Sequence, residues 1–399
     1  MTRRIAFNYF ILIAFSIVLL EVACYAMIAL GSPLLSEPIR RKADIYAEQS
    51  EHIDRWLENN SQTRDIVDVD LGWRYRSGFN GSRNAINQQG LRSRKNYSAT
   101  PLDGILRVAA FGDSFVYSNE VVNENAWAAI VETLFDDIEI LNYGVGGFGL
   151  DQALLRYELE GEELSPDVVL IGFIADDMRR VTNVYQRFAS TNAGIFTKPR
   201  FQFDEAGEMT LLPPPIRRLD DWRKVLDDPA SIRSWGANDQ WYEPLIYANP
   251  VYDFSALARL ASTAWIRFAN RYLDPDRVFI GDQFNQDSEA YRLQMRIFER
   301  FAARVEQSGA RPLILILPSR GELTAALNGS ENVYAMLKKS LNDLGIEHID
   351  ATEAFLSAPD RSNINAWFAP NGHYSPEGNR IVASWLGPEL RALDISTYR

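Results

Sequence analysis

The sequence is poor in residues that form disulfides and metal sites: it holds one cysteine, Cys24, and three histidines in 399 residues. A single cysteine excludes an intrachain disulfide and a metal site built from several thiolates. The sequence as a whole implies no metal and no organic cofactor. Basic residues are fewer than acidic ones, 41 against 53, and the net charge is -12. Such a charge repels phosphate backbones, and nucleic acid is therefore not expected as a partner.

Strongly polar residues are almost absent from Ile5 to Leu30, where only Asn8 and Glu21 interrupt an apolar run. The run exceeds the roughly 20 residues needed to cross a bilayer and the roughly 7–15 apolar residues of a cleaved signal peptide. Lipidation of Cys24 is disfavoured, since Glu21 stands where a branched apolar residue is needed. We predict a transmembrane anchor within residues 1–33.

The charges that flank this run set its orientation. Arg3 and Arg4 favour a cytoplasmic N-terminus, although the basic residues 40–42 oppose it. We therefore expect a single-pass protein of the inner membrane whose body is periplasmic. A carboxyl group inside a membrane span is costly unless it is paired or neutralised. Glu21 is thus expected either to contact a membrane-protein partner or to face lipid in protonated form.

The rest of the chain divides by pattern into two parts. Residues 34–104 combine a helical stretch with short aromatic and glycine-rich segments, which predicts a stalk followed by a collar. From residue 105 to 399, apolar strands alternate with amphipathic helices, which predicts an α/β fold with a doubly wound parallel sheet in a three-layer sandwich. The alternation lapses at about residues 181–283, so we expect an insertion there, with a hairpin at residues 200–212.

Polar residues follow three predicted strands and precede the last helix. Ser114 ends the segment "RVAAFGDS", Gly147 lies in "NYGVGGFG", Asp176 lies in "GFIADD", and His373 lies in "APNGHYSPEGN". The carboxyl ends of parallel strands meet at one edge of an open sheet, which is where such sheets bind ligands. The other two histidines fall in the stalk and in a short strand, so His373 is the best candidate for a general base.

This ordered set resembles the SGNH hydrolase, or GDSL, family over residues 105–180 and 288–399, and the lead-in "LGWRYRSGFNG" is similar to its membrane-anchored bacterial members. The resemblance implies that Ser114 is the nucleophile and His373 the base. It also implies that the backbone N–H groups of Ser114 and Gly147 form an oxyanion hole. In such a site the base takes the serine proton while the N–H groups stabilise the developing negative charge.

Two positions depart from the pattern of the family. Asp176 stands where the family has an asparagine that donates to the oxyanion, and Asn371 stands near where it has the triad aspartate. We expect Asp176 either to be buried and protonated, so that it can donate, or to be turned away. If Asn371 cannot fill the third catalytic position, a backbone carbonyl, Asp177 or Asp360 remains a candidate.

The resemblance predicts a serine esterase or acyltransferase that acts on ester-linked acyl groups, such as acetyl, of an envelope polysaccharide. One alternative is a catalytically weak or inactive glycan-binding or scaffold protein with the same fold. A lesser alternative is a dinucleotide-binding protein, because "GVGGFG" satisfies G-x-G-x-x-G and Asp176 could bind the ribose. The motif follows the second strand rather than the first, which disfavours that alternative.

Overall fold

The computed structural model describes residues 3–31, 39–190, 193–330, 332–361 and 363–396. Within these ranges the strands are β1 Asp65–Asp68, β2 Gly72–Tyr75, β3 Leu106–Phe111, β4 Ile138–Asn142, β5 Val168–Phe173, β6 Arg200–Phe203, β7 Met209–Leu212, β8 Phe279–Ile280, β9 Gln283–Phe284, β10 Arg311–Ile316 and β11 His348–Asp350.

The α-helices of the same ranges are α1 Arg3–Ala29, α2 Lys42–Asn59, α3 Ser114–Tyr117, α4 Trp127–Leu134, α5 Leu150–Glu160, α6 Asp177–Arg180, α7 Gln186–Ala189, α8 Leu219–Asp227, α9 Pro244–Tyr247, α10 Ala256–Phe268, α11 Glu289–Gln307, α12 Arg320–Leu327, α13 Ala335–Asp343, α14 Thr352–Leu356 and α15 Pro376–Arg391. Three 3₁₀ segments lie at Asn123–Asn125, Pro229–Asn238 and Ile364–Trp367, and a π-helix at Ala269–Leu273 extends α10.

Five parallel strands form the central sheet in the order β11-β10-β5-β3-β4. Numbered along the chain, this is the 2-1-3-4-5 order of flavodoxin-like doubly wound folds. The predicted fold class is confirmed. The order reverses between β3 and β5, the position where such sheets bind ligands beyond the strand ends. The expected hairpin is present as the antiparallel pair β6–β7.

Both faces of the central sheet are covered by helices, which explains why its central strands β3, β5 and β10 are nearly continuous apolar runs rather than alternating. On one face, alternate residues such as Val108 and Leu170 belong to a core shared with α4 and α15. On the other face, Phe111 meets Tyr157 of α5, and Phe173 meets Phe298 of α11.

The chain forms two compact units. The sheet unit comprises residues 60–184, 196–218 and 278–399, and it includes the predicted collar. The helical unit comprises residues 1–59, 185–195 and 219–277. These boundaries differ from the sequence-based ones, because the stalk helix α2 packs with α8 of the predicted insertion while the β6–β7 hairpin belongs to the sheet unit.

The N-terminal run is one continuous helix, α1, with a mean hydropathy of 2.5 in its most apolar window. Its length and composition are those of a membrane span or a signal sequence. Glu21 of this helix contacts its own chain, because its carboxylate accepts hydrogen bonds from Ser255 Oγ at 2.8 Å and from the backbone N–H of Leu257 at 3.2 Å. Glu21 thus has hydrogen-bond partners within its own chain, which the sequence analysis did not consider.

Candidate active site

Ser114 lies directly beyond β3, at the reversal of the sheet order, as the first residue of α3. Asp113 caps this helix by accepting the Phe115 N–H at 2.8 Å. The first N–H groups of a helix have no partner inside the helix, so the Ser114 N–H is directed toward the helix N-terminus. The Ser114 hydroxyl is 3.4 Å from Asp113 Oδ2, and the residue is 5% exposed.

His373 is paired with Glu120, an acid that the sequence analysis did not single out. The imidazole Nδ1 lies 2.8 Å from Glu120 Oε2. The same carboxylate accepts the backbone N–H groups of Asn371, at 2.9 Å on Oε1, and of His373, at 3.2 Å on Oε2. A carboxylate at Nδ1 keeps the proton on that nitrogen, so the neutral imidazole offers Nε2 as the proton acceptor.

The backbone around both residues is shaped for this contact. Gly372 has φ +94°, in the left-handed region that glycine adopts without strain, and this turn directs the N–H groups on either side of it toward one carboxylate. Glu120 itself has φ +71°, which is uncommon for a residue with a side chain and is often found at functional sites.

The charge of Glu120 is stabilised by these contacts. Burial opposes ionisation, but the N–H groups of Asn371 and His373 and the imidazole outweigh it and lower the pKa of the Glu120 carboxyl below its usual value of 4.5. Glu120 is therefore an anion at neutral pH, positioned to stabilise an imidazolium at His373.

The loop that carries His373 packs against Phe115, the residue after Ser114. The imidazole ring lies 5.4 Å from the ring of Phe115, the residue after Ser114. Tyr374 donates its hydroxyl to the Pro318 carbonyl at 2.8 Å, and this tyrosine also packs edge-on against Phe115. The structure thus brings His373, from the far end of the chain, beside the residue that follows Ser114.

The glycine-rich loop after β4 lies against the same short helix. A Cβ atom on Gly144 would come within 2.4 Å of the Tyr117 backbone nitrogen, so only glycine permits this approach. The next residue, Val145, donates its N–H to the Gly112 carbonyl at 3.0 Å. Gly147 follows on this loop, which places it at the edge of the sheet predicted for the oxyanion hole.

Arg180 joins the ends of three strands. Its guanidinium lies 2.9 Å from Asp113 after β3 and 3.0 Å from Asp177 after β5, and it donates to the Phe148 carbonyl after β4 at 3.0 Å. Asp113 and Asp177 are fully buried. Burial first, and then the neighbouring Asp113 carboxylate, raise the pKa of Asp177 well above its usual range despite the opposing effect of Arg180.

Asp176 is placed differently from the expectation of a buried, protonated acid. Its side chain is 53% exposed and forms an ion pair with Arg180 at 3.0 Å. Asp176 accepts a hydrogen bond from Arg180 and belongs to the Arg180 cluster.

Three predicted positions for the triad acid also need revision. Asn371 contributes its backbone N–H to Glu120, and Asp177 binds Arg180, so neither supplies the carboxylate at the imidazole. Asp360 does not supply it either, because Glu120 occupies Nδ1. Glu120 stands only six residues after Ser114 in the sequence, but nothing local distinguishes it from the neighbouring Glu124.

The glycine-rich loop offers few N–H groups to a dinucleotide. The Gly146 N–H donates to the Tyr75 hydroxyl at 2.7 Å, and the Gly149 N–H donates to the Gln152 side chain at 3.1 Å. The loop also follows β4, an edge strand, rather than the central β3. The loop therefore does not favour the dinucleotide-binding alternative.

No protein-family model and no curated protein matches the chain. Among solved structures it is similar to the lipase/acylhydrolase from Enterococcus faecalis, at 12% identity and a TM-score of 0.34 over 72% of this chain and 96% of that one. It is also similar to a member of the lipolytic protein G-D-S-L family from Veillonella parvula, at 10% identity and a TM-score of 0.35 over 72% of this chain and 99% of that one. A third similar structure is an acetyl xylan esterase, at 12% identity and a TM-score of 0.35 over 72% of this chain and 100% of that one. Likeness of this size assigns neither a family nor an activity.

Proposed function

We propose that this protein is a membrane-anchored serine esterase or acyltransferase whose catalytic triad is Ser114, His373 and Glu120. The observation that carries the proposal is the Glu120 carboxylate, which lies 2.8 Å from Nδ1 of His373 and is fixed by two further N–H groups. A partly buried carboxylate oriented in this way holds an imidazole in the tautomer that accepts a proton at Nε2.

In the proposed reaction the Ser114 oxygen attacks the acyl carbonyl while its proton passes to Nε2 of His373. The imidazolium, stabilised by Glu120, then returns the proton to the leaving alcohol as the ester bond breaks. Water or a second alcohol, deprotonated by the same imidazole, attacks the acyl-serine and regenerates the enzyme. The choice between water and an alcohol decides whether the protein is a hydrolase or a transferase.

The negative charge of the tetrahedral intermediate is assigned to the backbone N–H groups of Ser114 and Gly147. Asp176 takes no part as a donor in this scheme, because its carboxylate is paired with Arg180. Backbone donors require no protonation, and losing one donor of this kind costs about 10²–10³ in kcat. Asp176 instead helps hold the end of β5 beside the site.

The location and substrate are parts of the same proposal. Helix α1 has the length and hydropathy of a membrane span, and we assign it as a single-pass anchor in the inner membrane with the sheet unit in the periplasm. A tethered esterase there would meet envelope polysaccharides. We therefore assign ester-linked acyl groups, with acetyl as the test case, on such a polysaccharide as its substrate.

Labelling with a fluorophosphonate tests the nucleophile, and p-nitrophenyl acetate tests turnover. Wild-type protein should label on one serine, and Ser114→Ala should abolish both labelling and turnover. His373→Ala should lower kcat by at least about 10³-fold. The matched controls are Ser330→Ala and His348→Ala, which change an exposed serine and a histidine of β11 and should behave as wild type.

Wild-type protein that neither labels nor turns over any acyl ester would contradict the enzyme and favour the glycan-binding or scaffold alternative. Labelling that persists in Ser114→Ala would show that the nucleophile is misassigned. Carbonate washing tests the anchor separately: release of the protein as a shortened, soluble chain would show that α1 is a cleaved signal.

A further inference from the structure

The helical unit exposes a row of large apolar side chains on and around α10. Three of these aromatic residues are spaced by three and four positions, which places them on one face of the helix and its π-helical extension. Their exposed fractions are 55% for Trp265, 48% for Phe268 and 60% for Tyr272, and Phe254 just before the helix is 88% exposed. Isolated exposed apolar residues are common, but a row of aromatics on one helix face marks an interaction surface.

Helix α10 buries polar side chains and exposes aromatic ones. Its buried residues include Arg259 and Ser262, and the Arg259 guanidinium donates to the carbonyl of Tyr252 at 3.1 Å inside the unit. The aromatic row faces outward. Water would not favour this arrangement, whereas an apolar medium in contact with the outer face would.

The start of α10 is fixed to α1 by Glu21. Its carboxylate accepts the Ser255 hydroxyl at 2.8 Å and the backbone N–H groups of Ala256 and Leu257. A carboxylate at a helix N-terminus satisfies unpaired N–H groups and is stabilised by the helix dipole. The apolar helix and the aromatic row are therefore parts of one structure.

The position of Glu21 along α1 sets the depth of this junction. At 1.5 Å per residue, Glu21 lies about 12 Å before Ala29 and about 27 Å after Arg3 along the helix axis. The hydrocarbon core of a bilayer is about 30 Å thick, so Glu21 falls near its outer boundary if α1 spans it. Cys24, one turn further on, is the buried residue of α1, which shows that packing is confined to this end of the helix.

We infer that α10 lies in the lipid interface of the bilayer that α1 crosses, with its aromatic row in contact with acyl chains. The inference rests on the anchor of the proposed function. Trp and Tyr are enriched at the level of lipid headgroups, as on this row. Arg271 is exposed beside Tyr272 on the π-helical extension, where it can meet anionic headgroups. The helical unit therefore contacts the membrane surface through α10, and Glu21 joins α10 to the anchor helix α1.

Depth-dependent quenching of single-cysteine variants tests the inference. In a Cys24→Ser background, one cysteine is placed at a time at Leu12 on α1, Phe268 on α10 or Lys224 on α8, whose side chain is 73% exposed. Each full-length variant is labelled with an environment-sensitive fluorophore. It is then reconstituted in phosphatidylethanolamine–phosphatidylglycerol vesicles with or without brominated acyl chains. Brominated lipid should quench the labels at Leu12 and Phe268 and leave the label at Lys224 unchanged.

The three positions separate the possible failures. Quenching at Leu12 without quenching at Phe268 would overturn the inference and leave the anchor intact. Absence of quenching at Leu12 would contradict the anchor, and the inference with it. A label at Phe268 that is shielded from water, unaffected by brominated lipid and crosslinked to a second copy would show that the aromatic row is a protein interface, which also overturns the inference.

Discussion

Replacing Glu120 by glutamine tests the triad most directly, because the two side chains have the same shape. The carboxylate accepts three N–H groups, one on Oε1 and two on Oε2. A glutamine has one oxygen and one NH₂ group, so it cannot accept at both positions. The loss of activity in Glu120→Gln therefore depends on whether the amide oxygen or the NH₂ group takes the place of Oε2.

If the amide oxygen takes the place of Oε2, His373 keeps its partner and the NH₂ group opposes the Asn371 N–H. Losing one hydrogen bond to a charged group costs about 1.5–3 kcal/mol, which corresponds to about 10- to 100-fold in rate. If the NH₂ group takes that place, the imidazole must accept at Nδ1 and carry its proton on Nε2. In serine proteases that change of tautomer lowers kcat by about 10⁴.

In the first orientation the NH₂ group faces one N–H donor, whereas in the second it faces two, so the first should be preferred. We therefore expect Glu120→Gln to lower kcat/KM by about 10- to 100-fold. Glu120→Ala, which removes the acceptor altogether, should lower it by about 10³–10⁴-fold. The measurement is kcat/KM on p-nitrophenyl acetate together with the rate of fluorophosphonate labelling. Glu124→Gln is the matched control, since Glu124 lies on the same segment, is exposed and pairs with Arg94 at 2.7 Å. Wild-type rates in both Glu120 variants, with Ser114→Ala inactive, would refute the triad.

The pH dependence of stability gives a readout that does not need turnover. The folded state lowers the pKa of Glu120 below 4.5, so its contribution is fully present above that value and is lost as the pH falls through the lower, folded pKa. The difference in unfolding free energy between wild type and Glu120→Gln should therefore be constant near neutrality and shrink in acid. A difference that grows in acid would contradict the assigned charge of Glu120.

Three further predictions concern other groups. Arg180→Met leaves the buried Asp113 and Asp177 carboxylates without their cation and should lower the free energy of unfolding by about 3–5 kcal/mol, with a smaller loss at lower pH, where Asp177 holds its proton. Asp176→Asn is the control and should cost about 0–1 kcal/mol, because that pair is half-exposed. Denaturant unfolding of both variants measures the difference. Glu21→Ala removes the acceptor of the Ala256 and Leu257 amides and should speed their hydrogen exchange by about 2- to 30-fold, with a smaller effect in Glu21→Gln. Asn371→Ala should keep kcat/KM within about threefold, because the backbone N–H makes the contact, while Asn371→Asp should lower it by placing a second negative charge beside Glu120.

The central sheet could be predicted because its strands are continuous apolar runs that are buried on both faces, as the fully buried Val168–Phe173 strand illustrates. The β6–β7 hairpin could be predicted from alternation around a short polar turn. The compact units could not, since whether the stalk helix packs on the sheet or on the insertion depends on tertiary contacts that leave no periodic signal in either segment.

The same limit explains what was missed in the site. Ser114 and His373 carry recognisable motifs, but the pairing of His373 with Glu120 joins residues 253 positions apart. Glu21 and Ser255, which are 234 positions apart, present the same difficulty. In both cases a carboxylate finds backbone N–H groups that only the folded chain brings together, and the sequence shows only that the acid is present.

If Glu120 is the triad acid, the position of His373 is the part of the proposed site that is most easily disturbed. An aspartate just before the histidine would move with it, whereas Glu120 belongs to the segment that carries Ser114 and follows it by six residues. The proposed nucleophile and the proposed acid are thus positioned together, and the proposed base alone comes from the C-terminal loop. Tyr374 and Arg320, which bind the Pro318 and Ala369 carbonyls at 2.8 and 3.2 Å, hold that loop in place. Loosening either contact should therefore lower kcat through the position of His373 while leaving Ser114 and Glu120 where they are.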